Sequence, residues 1–266
     1  MGISEEEMRT LEGFKRIIAR LRAPDGCPWD RVQTHASLKP YLLEEAYEAL
    51  AALDEGDPQK LCDELGDLLL EVFLHIQLAE EAQEFTLADV VYGFASKIVR
   101  RHPHVFGEEQ ADSPQQVTTR WEELKREERG SEDSVLTGVP QAMPALARTQ
   151  TFLAKAAGVG FQWPQTEDVL DKLGEELGEL AQAGDLGHKR EELGDVLFLI
   201  VNLARHLGLN AEEALRQANR KFYQRFTTME ALAREQGRSL ADMPLAEQET
   251  LWKAAKKRLR AEDDSP

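Results

Sequence analysis

The chain has 266 residues, 42% of them hydrophobic and 30% charged, with a net charge of −17. That length and apolar content suit one large domain or two ordinary ones and exclude wholesale disorder. So negative a chain repels bare phosphate backbones, so no stable nucleic-acid binding is expected, whereas a polyanionic substrate can bind if metal ions accompany it.

The first residues, Met1-Gly2-Ile3-Ser4-Glu5-Glu6-Glu7, are acidic where a secretory signal would be basic and then apolar. No apolar run is long enough to span a bilayer, so no membrane association is expected. Cys27 and Cys62 match no zinc spacing. A reducing, cytoplasmic setting is the expectation.

Taken in chain order, the elements are helical and occur twice. Residues 44–48 read Glu-Glu-Ala-Tyr-Glu, and a turn follows at Gly56-Asp57-Pro58. Within 61–78, Leu61, Leu65, Leu68, Leu69, Val72, Phe73 and Ile76 fall on one face at a 3.6-residue period. This helix carries Glu64-Leu65-Gly66-Asp67. Lys97 and Arg101 stand four apart, before a proline, Pro103, that stops a helix. The stretch from Gly107 to Pro144 reads as a linker from its Gly, Pro and Ser content, with a short helix predicted in the charged run Trp121–Arg129. The pattern then returns. Residues 175–179 are Glu-Glu-Leu-Gly-Glu, the turn is Gly184-Asp185-Leu186-Gly187, and 192–195 are Glu-Leu-Gly-Asp. Leu193, Val196, Leu197, Ile200, Val201 and Ala204 form the second stripe, and Lys221 and Arg225 repeat the basic pair. Alternating strands are missing. An all-α fold follows, with two tandem four- or five-helix bundles joined by a linker, domains 1–130 and 131–266.

Residues three and four apart on a helix are neighbours. Glu45 and Glu48 therefore project together, Glu44 sits beside Glu48, and Glu64 and Asp67 share a face. A tight turn makes the two helices antiparallel partners, so these carboxylates converge. Converging carboxylates repel one another, and a hard divalent cation removes that cost. All-oxygen ligands suit Mg2+, with Mn2+ able to substitute, better than zinc. Lys97 and Arg101, and Lys221 and Arg225, are then candidate phosphate ligands. Glu-rich helices usually just present a solvated face. Against that reading, Glu64 borders the apolar stripe. Gly66 and Gly194 also sit mid-helix at the same place in both copies, each costing about 1 kcal/mol relative to alanine. A close approach to the backbone is expected at both.

With these motifs the chain resembles the MazG family, tandem-domain nucleoside triphosphate pyrophosphohydrolases of the all-α NTP pyrophosphatase superfamily. The paired Glu-Glu-x-x-Glu and Glu-x-x-Asp elements carry the resemblance most specifically. Cys27-Pro28-Trp29-Asp30 with Gln33-Thr34, Arg101-His102-Pro103-His104-Val105-Phe106-Gly107, Val159-Gly160-Phe161 with Trp163, and Asn202-Leu203-Ala204-Arg205-His206 extend it over nearly the whole chain. The resemblance implies a homodimer, magnesium dependence, and cleavage between the α and β phosphates of nucleoside triphosphates. It gives Glu176, Glu179, Glu192 and Asp195 as metal ligands, and Lys172, Lys221, Arg225 and Trp252 as nucleotide contacts. Glu175, beside the ligands, is the candidate for orienting or deprotonating the attacking water. Lys189 and Arg190, just before Glu191-Glu192, are either phosphate contacts or a solvated loop.

The copies differ. The second has Asn219 two residues before its lysine where the first has Ala95, and only the second is followed by a polar helix bearing Trp252. The resemblance implies that the C-terminal copy is the main catalyst, so turnover is expected chiefly in the second copy, with Glu45, Glu48, Glu64 and Asp67 a further metal site in the first. His102 and His104 lack a third ligand at a suitable spacing and read as a packed turn. Cys27, with a proline and a tryptophan beside it, reads as packing rather than a nucleophile. For Trp29 and Trp163, core or dimer packing is favoured over base stacking. The rival functions are a di-iron oxidoreductase, which lacks its Glu-x-x-His motifs here, a regulatory nucleotide-binding module with little turnover, and a narrower pyrophosphohydrolase of the dUTP or phosphoribosyl-ATP type. The family leans towards broad base specificity, and nucleotide-pool cleansing or alarmone control is the physiological implication.

Overall fold

The computed structural model describes residues 3–129 and 134–263. Among them every regular element is helical, and no strand is present. The chain divides into two compact units, Met1–Leu124 and Lys125–Pro266. The domain boundary expected between residues 130 and 131 falls outside the described residues.

In the first unit, α1 (Leu11–Arg22), α2 (Pro28–Arg31), α3 (His35–Glu55) and α4 (Pro58–Ala82) precede α5 (Leu87–Arg101), α6 (Pro103–Phe106) and most of α7 (Pro114–Arg129), whose last residues lie past Leu124. Local chemistry sets their ends. Thr34 and Ser37 cap the start of α3 reciprocally, the Thr34 oxygen accepting from Ser37 N at 3.1 Å and the Ser37 oxygen from Thr34 N at 2.9 Å. Gly56 ends α3 in the left-handed region, at φ 67°, where a side chain would be strained. Asp57 then caps α4 by accepting from Gln59 N and Lys60 N, and Pro58 takes the first helical position. This two-residue connection makes α3 and α4 the antiparallel pair expected from the sequence. α7 begins at Pro114, earlier than the Trp121 expected, because Ser113 and Pro114 supply a cap and a preset first turn.

The second unit repeats the hairpin with α8 (Ala145–Ala157), α9 (Thr166–Gln182), α10 (Leu186–His206), α11 (Ala211–Glu235) and α12 (Leu245–Asp263). Asp185 caps α10 through Gly187 N and His188 N, at 2.8 and 3.0 Å. α9 packs against α10, α10 against α8, and α12 along α11.

The cores are thin. Ile18, Leu38, Phe73 and Leu74 form the first unit's centre, with Phe14 edge-on to Phe73 at 5.1 Å. The second unit has two clusters, Leu153, Val201 and Ala211, and Met229, Ala233, Met243, Leu251 and Ala255. The apolar stripes read from the sequence are only half covered. Phe73 and Ile76 are buried, but Leu65, Leu69 and Val72 are exposed, as are Leu193, Leu197 and Ile200 in the second copy. Each hairpin is covered along one side by another helix of its unit, and a full-width stripe has further apolar surface to spare. Much of α5 is likewise open, with Tyr92 76% and Phe94 62% exposed.

Candidate active site

Each hairpin gathers three carboxylates. Oxygens of Glu45, Glu48 and Glu64 lie within 4.8 Å of one another, and so do oxygens of Glu176, Glu179 and Glu192. The i, i+3 spacing aligns the first two of each set on one helix, and the short turn brings the third across from the next. Asp67 and Asp195, the fourth ligand expected at each site, stay outside the triplets and are exposed. They stand one turn further along α4 and α10, about 4.5 Å of rise from Glu64 and Glu192.

The electrostatics differ between the copies. In the first, burial pushes Glu45 above the usual carboxylate range, and Asp67, Glu48, Glu44 and Glu64 push it further. Glu64 is raised in the same way, by burial and then by Glu48 and Asp67. In the second, Lys172 supplies a counter-charge. Its ammonium donates to Glu175 Oε2 at 2.7 Å and lies 3.0 Å from Glu176 Oε1. Those two carboxylates raise the lysine's pKa. Position 41, four before Glu45 as 172 is four before Glu176, holds Tyr41, packed edge-on to Trp29 at 5.7 Å. Glu175, expected to handle water, is thus an ion-pair partner in this state.

Glu176 and Glu192 are both 8% exposed. Glu192 Oε1 faces His188 Nε2 at 2.9 Å, while its Oε2 is buried with no hydrogen-bond partner. An orphaned carboxylate oxygen amid two more carboxylates fits a hard cation, which supplies what no donor here does. The residues present therefore fit a divalent metal ion.

The basic side chains are less gathered than expected. Lys189 and Arg190 are exposed in the first turn of α10. Asn219, Lys221 and Arg225 lie on α11, and among the described residues none of them is hydrogen-bonded or ion-paired to Glu176, Glu179 or Glu192. Trp252, on α12, is half-buried against the Met229 cluster and tilted on Phe222 at 5.6 Å. In the first copy the Arg101 guanidinium lies over the Trp121 ring, 5.3 Å from its centroid, rather than beside the carboxylates. Nor is the close approach expected at Gly66 and Gly194 made among the described residues, since apart from the neighbouring backbone of the same helix no atom comes within 4 Å of where a Cβ would stand.

Three features escaped sequence reasoning. His188 is one, although its i, i+4 relation to Glu192 was there to be read. The second is Glu71, a carboxylate only 4% exposed with an unpartnered Oε2, raised by burial and by Glu45. Its signal was an acidic residue on the inner side of the α4 stripe where the second copy has Leu199. The third is the stack of His35 on His75, rings 5.0 Å apart and 7° from parallel, which joins residues 40 positions apart and left no local trace. His102 and His104 form the packed turn, with His102 edge-on to Trp121 at 4.9 Å.

The family described as the MazG nucleotide pyrophosphohydrolase domain matches residues 33–106 and again 165–229, so each match spans one carboxylate hairpin. The chain belongs to the MazG family. It is accordingly an enzyme of the nucleotide pyrophosphohydrolase kind. Among its MazG relatives, a nucleoside triphosphate pyrophosphohydrolase/pyrophosphatase MazG of Thermotoga maritima is 45% identical over 247 residues, 92% of this chain and 95% of the relative. A nucleoside triphosphate pyrophosphohydrolase of Escherichia coli K12 is 40% identical over 258 residues, 94% of this chain and 98% of the relative. An uncharacterized protein, YabN, of Bacillus subtilis is 43% identical over 96% of this chain, which covers 53% of that protein. In MazG terms, the doubled match means that both carboxylate triplets belong to the family's own domain. Among the described residues, no helix is long and apolar enough to cross a membrane.

Proposed function

We propose that this chain hydrolyses nucleoside triphosphates, both ribo- and deoxyribo-, to the monophosphate and pyrophosphate, chiefly in its second copy and with Mg2+. The observation that carries this reading is the triplet of buried Glu176 and Glu192 with exposed Glu179, its Glu192 oxygen orphaned, set beside Lys172 in a chain of this family. Glu176, Glu179 and Glu192 hold the ion, with Asp195 one turn away to complete or adjust the set. Once bound, the ion neutralises phosphate charge and makes a water more acidic.

The chain's own residues do the rest. Water attacks the α-phosphorus, the bond from that phosphorus to the α–β bridging oxygen breaks, and pyrophosphate leaves. Lys172 exchanges its carboxylate partners for phosphate oxygens as the triphosphate arrives. That exchange frees Glu175 from the ion pair to orient the water and take its proton. Lys189 and Arg190, at the start of α10, and Lys221 and Arg225 on α11 stabilise the charge building on the leaving group, and Asn219 and Trp252 bound the same site. The first copy has Tyr41, Leu61 and Cys62 where the second has Lys172, Lys189 and Arg190, so Glu45, Glu48, Glu64 and Asp67 can hold a cation with fewer charges to grip a triphosphate. Lys97 and Arg101 are its remaining phosphate candidates.

The uncovered apolar faces, Tyr92 and Phe94 on α5 and Phe222 and Tyr223 on α11, support assembly with a second copy as a homodimer. Such assembly would also bring α11 cations to carboxylates that they do not meet within one unit. We place the protein in the cytoplasm, acting on free nucleotides in pool cleansing or alarmone control. A panel of common, deaminated and oxidised triphosphates, assayed with Mg2+, tests the reaction. Monophosphate and pyrophosphate from most of the panel is the expected result, and diphosphate with orthophosphate overturns it.

A further inference from the structure

α4 carries two buried polar atoms that no hydrogen bond satisfies, Glu71 Oε2 and His75 Nε2. Their residues are four apart, so they are neighbours on the helix, with Cβ atoms roughly 5–6 Å apart. Side chains lean towards the N-terminus of their helix, so His75 leans over the turn that carries Glu71. Glu71 is 4% exposed. Neither residue belongs to a carboxylate triplet. The second copy has Leu199 and Leu203 at the corresponding positions, so the pair is particular to the first.

The other nitrogen of His75 decides what its Nε2 can do. His75 Nδ1 lies 2.7 Å from His35 Nδ1, and the two rings stack 5.0 Å apart. Only one proton fits between two such nitrogens. When His75 donates it, the buried Nε2 is a bare lone pair. Burial, and then His35, lower the His75 pKa, so the ring is neutral at neutral pH. An imidazole that donates through one nitrogen and offers a lone pair through the other is the usual form of a metal-binding histidine, oriented by the first bond. Glu71 adds a carboxylate oxygen one turn away, and a buried carboxylate without a donor is balanced by a cation. His35 is exposed, so solvent is one ring away from His75.

We propose that Glu71 Oε2 and His75 Nε2 hold a divalent transition-metal ion, typified by Zn2+, at a site that uses none of the triplet residues, with His35 as the residue that positions the His75 ring. One imidazole and one carboxylate favour a borderline metal such as Zn2+ over Mg2+, which prefers oxygen ligands and keeps its waters. Water completes the coordination. The bound ion satisfies both orphaned atoms at once and ties two turns of α4 together. The site is independent of the reaction proposed above. Its rivals are a proton shared between Glu71 and His75, or a buried water bridging them, either of which satisfies the same atoms without a metal.

Calorimetric titration of the full chain with Zn2+, in a large excess of Mg2+ to occupy the carboxylate triplets, counts the site. Wild type is expected to take up one more Zn2+ per chain than Glu71→Leu or His75→Leu, each of which installs the residue of the second copy. Glu71→Gln, which keeps the volume, is expected to lose the same ion, so a packing defect in the leucine variant cannot mimic the result. His35→Phe keeps a stacked ring but removes the nitrogen that orients His75, and its Zn2+ affinity is expected to fall about tenfold. Zinc X-ray absorption should show imidazole scattering in wild type that weakens in His75→Leu. Equal uptake in wild type and in the Glu71 and His75 variants overturns the site and leaves the shared proton or the water. Uptake lost in Glu71→Leu but kept in His75→Leu overturns the imidazole ligand and gives the ion to carboxylates alone.

Discussion

Lys172 Nζ lies 3.0 Å from Glu176 Oε1, one turn along α9, so a cation already occupies the edge of the second carboxylate triplet. The same ammonium holds Glu175 at 2.7 Å. Before substrate arrives it offsets the mutual repulsion of the carboxylates, a service the first copy lacks with Tyr41 at that position. In the reaction proposed above, the ammonium becomes available to the phosphates when a triphosphate enters.

Lys172→Met should therefore separate two functions. Cation affinity measured without nucleotide is expected to hold or tighten, because a competing positive charge is gone. The kcat/KM for ATP is expected to fall about 10- to 100-fold, in keeping with roughly 1.5–3 kcal/mol for a charge-assisted hydrogen bond. Weaker cation binding with unchanged kcat/KM would make Lys172 an organiser of the metal site instead.

Glu179→Gln and Glu48→Gln compare the copies. Each removes one carboxylate from a triplet at nearly constant volume. Pyrophosphate release should drop by about 100-fold or more in Glu179→Gln, in line with the loss of one key transition-state interaction. It should change by no more than about twofold in Glu48→Gln, since the first copy is proposed to contribute little. Full activity in the Glu179 variant would sink the assignment of turnover to the second copy.

Glu71 carries a stability prediction. It is buried beside the first triplet with one oxygen unsatisfied, whereas Leu199 fills the corresponding position in the second copy. Glu71→Leu should raise the stability of the first unit by about 1–3 kcal/mol, the usual cost of an unsatisfied buried polar group. Chemical denaturation followed by signals from Trp29 would report it. A loss of stability would show that Glu71 has a partner that the isolated chain does not provide.

Cation binding should stabilise the first unit too. Burial and four neighbouring carboxylates raise Glu45, so its charged form is disfavoured in the fold. Mg2+ or Mn2+ should raise the melting temperature of wild-type protein, and a chelator should reverse the shift. Glu45→Gln should melt higher than wild type without metal and gain less from it. Equal gains in both proteins would place the stabilising ion elsewhere.

The acid limb of stability depends on other carboxylates. Glu80, bound by Lys15 at 2.7 Å, and Glu81, bound by Arg22 at 2.8 Å, are held below the usual carboxylate range by those hydrogen bonds. A depressed folded-state pKa gives stability that is present above the unfolded value and lost as pH falls through the folded one. Acidification from pH 5 downward should thus weaken the first unit. Lys15→Met should make that dependence shallower, because the Glu80 pKa moves back towards its unfolded value. An unaltered slope in melting experiments between about pH 5 and 2 would rule the pair out as a contributor.

The sequence by itself determined the helices, their caps and the two hairpins. These depend on near neighbours: Thr34 with Ser37, Gly56 with Asp57, Asp185 with the amides just after it. It also determined which carboxylates share a helix face, since 3.6 residues per turn fixes their angles. Only the tertiary structure decided which oxygens come within reach, making triplets without Asp67 or Asp195. It alone decided that Lys172 pairs with Glu175 and Glu176, that Arg101 turns to Trp121, and that Glu71 loses its solvent. Periodicity fixes where a side chain points on its own helix. What covers that face, and how much water remains there, depends on residues tens of positions away, and on this account half of each apolar stripe that the sequence marked for burial is open.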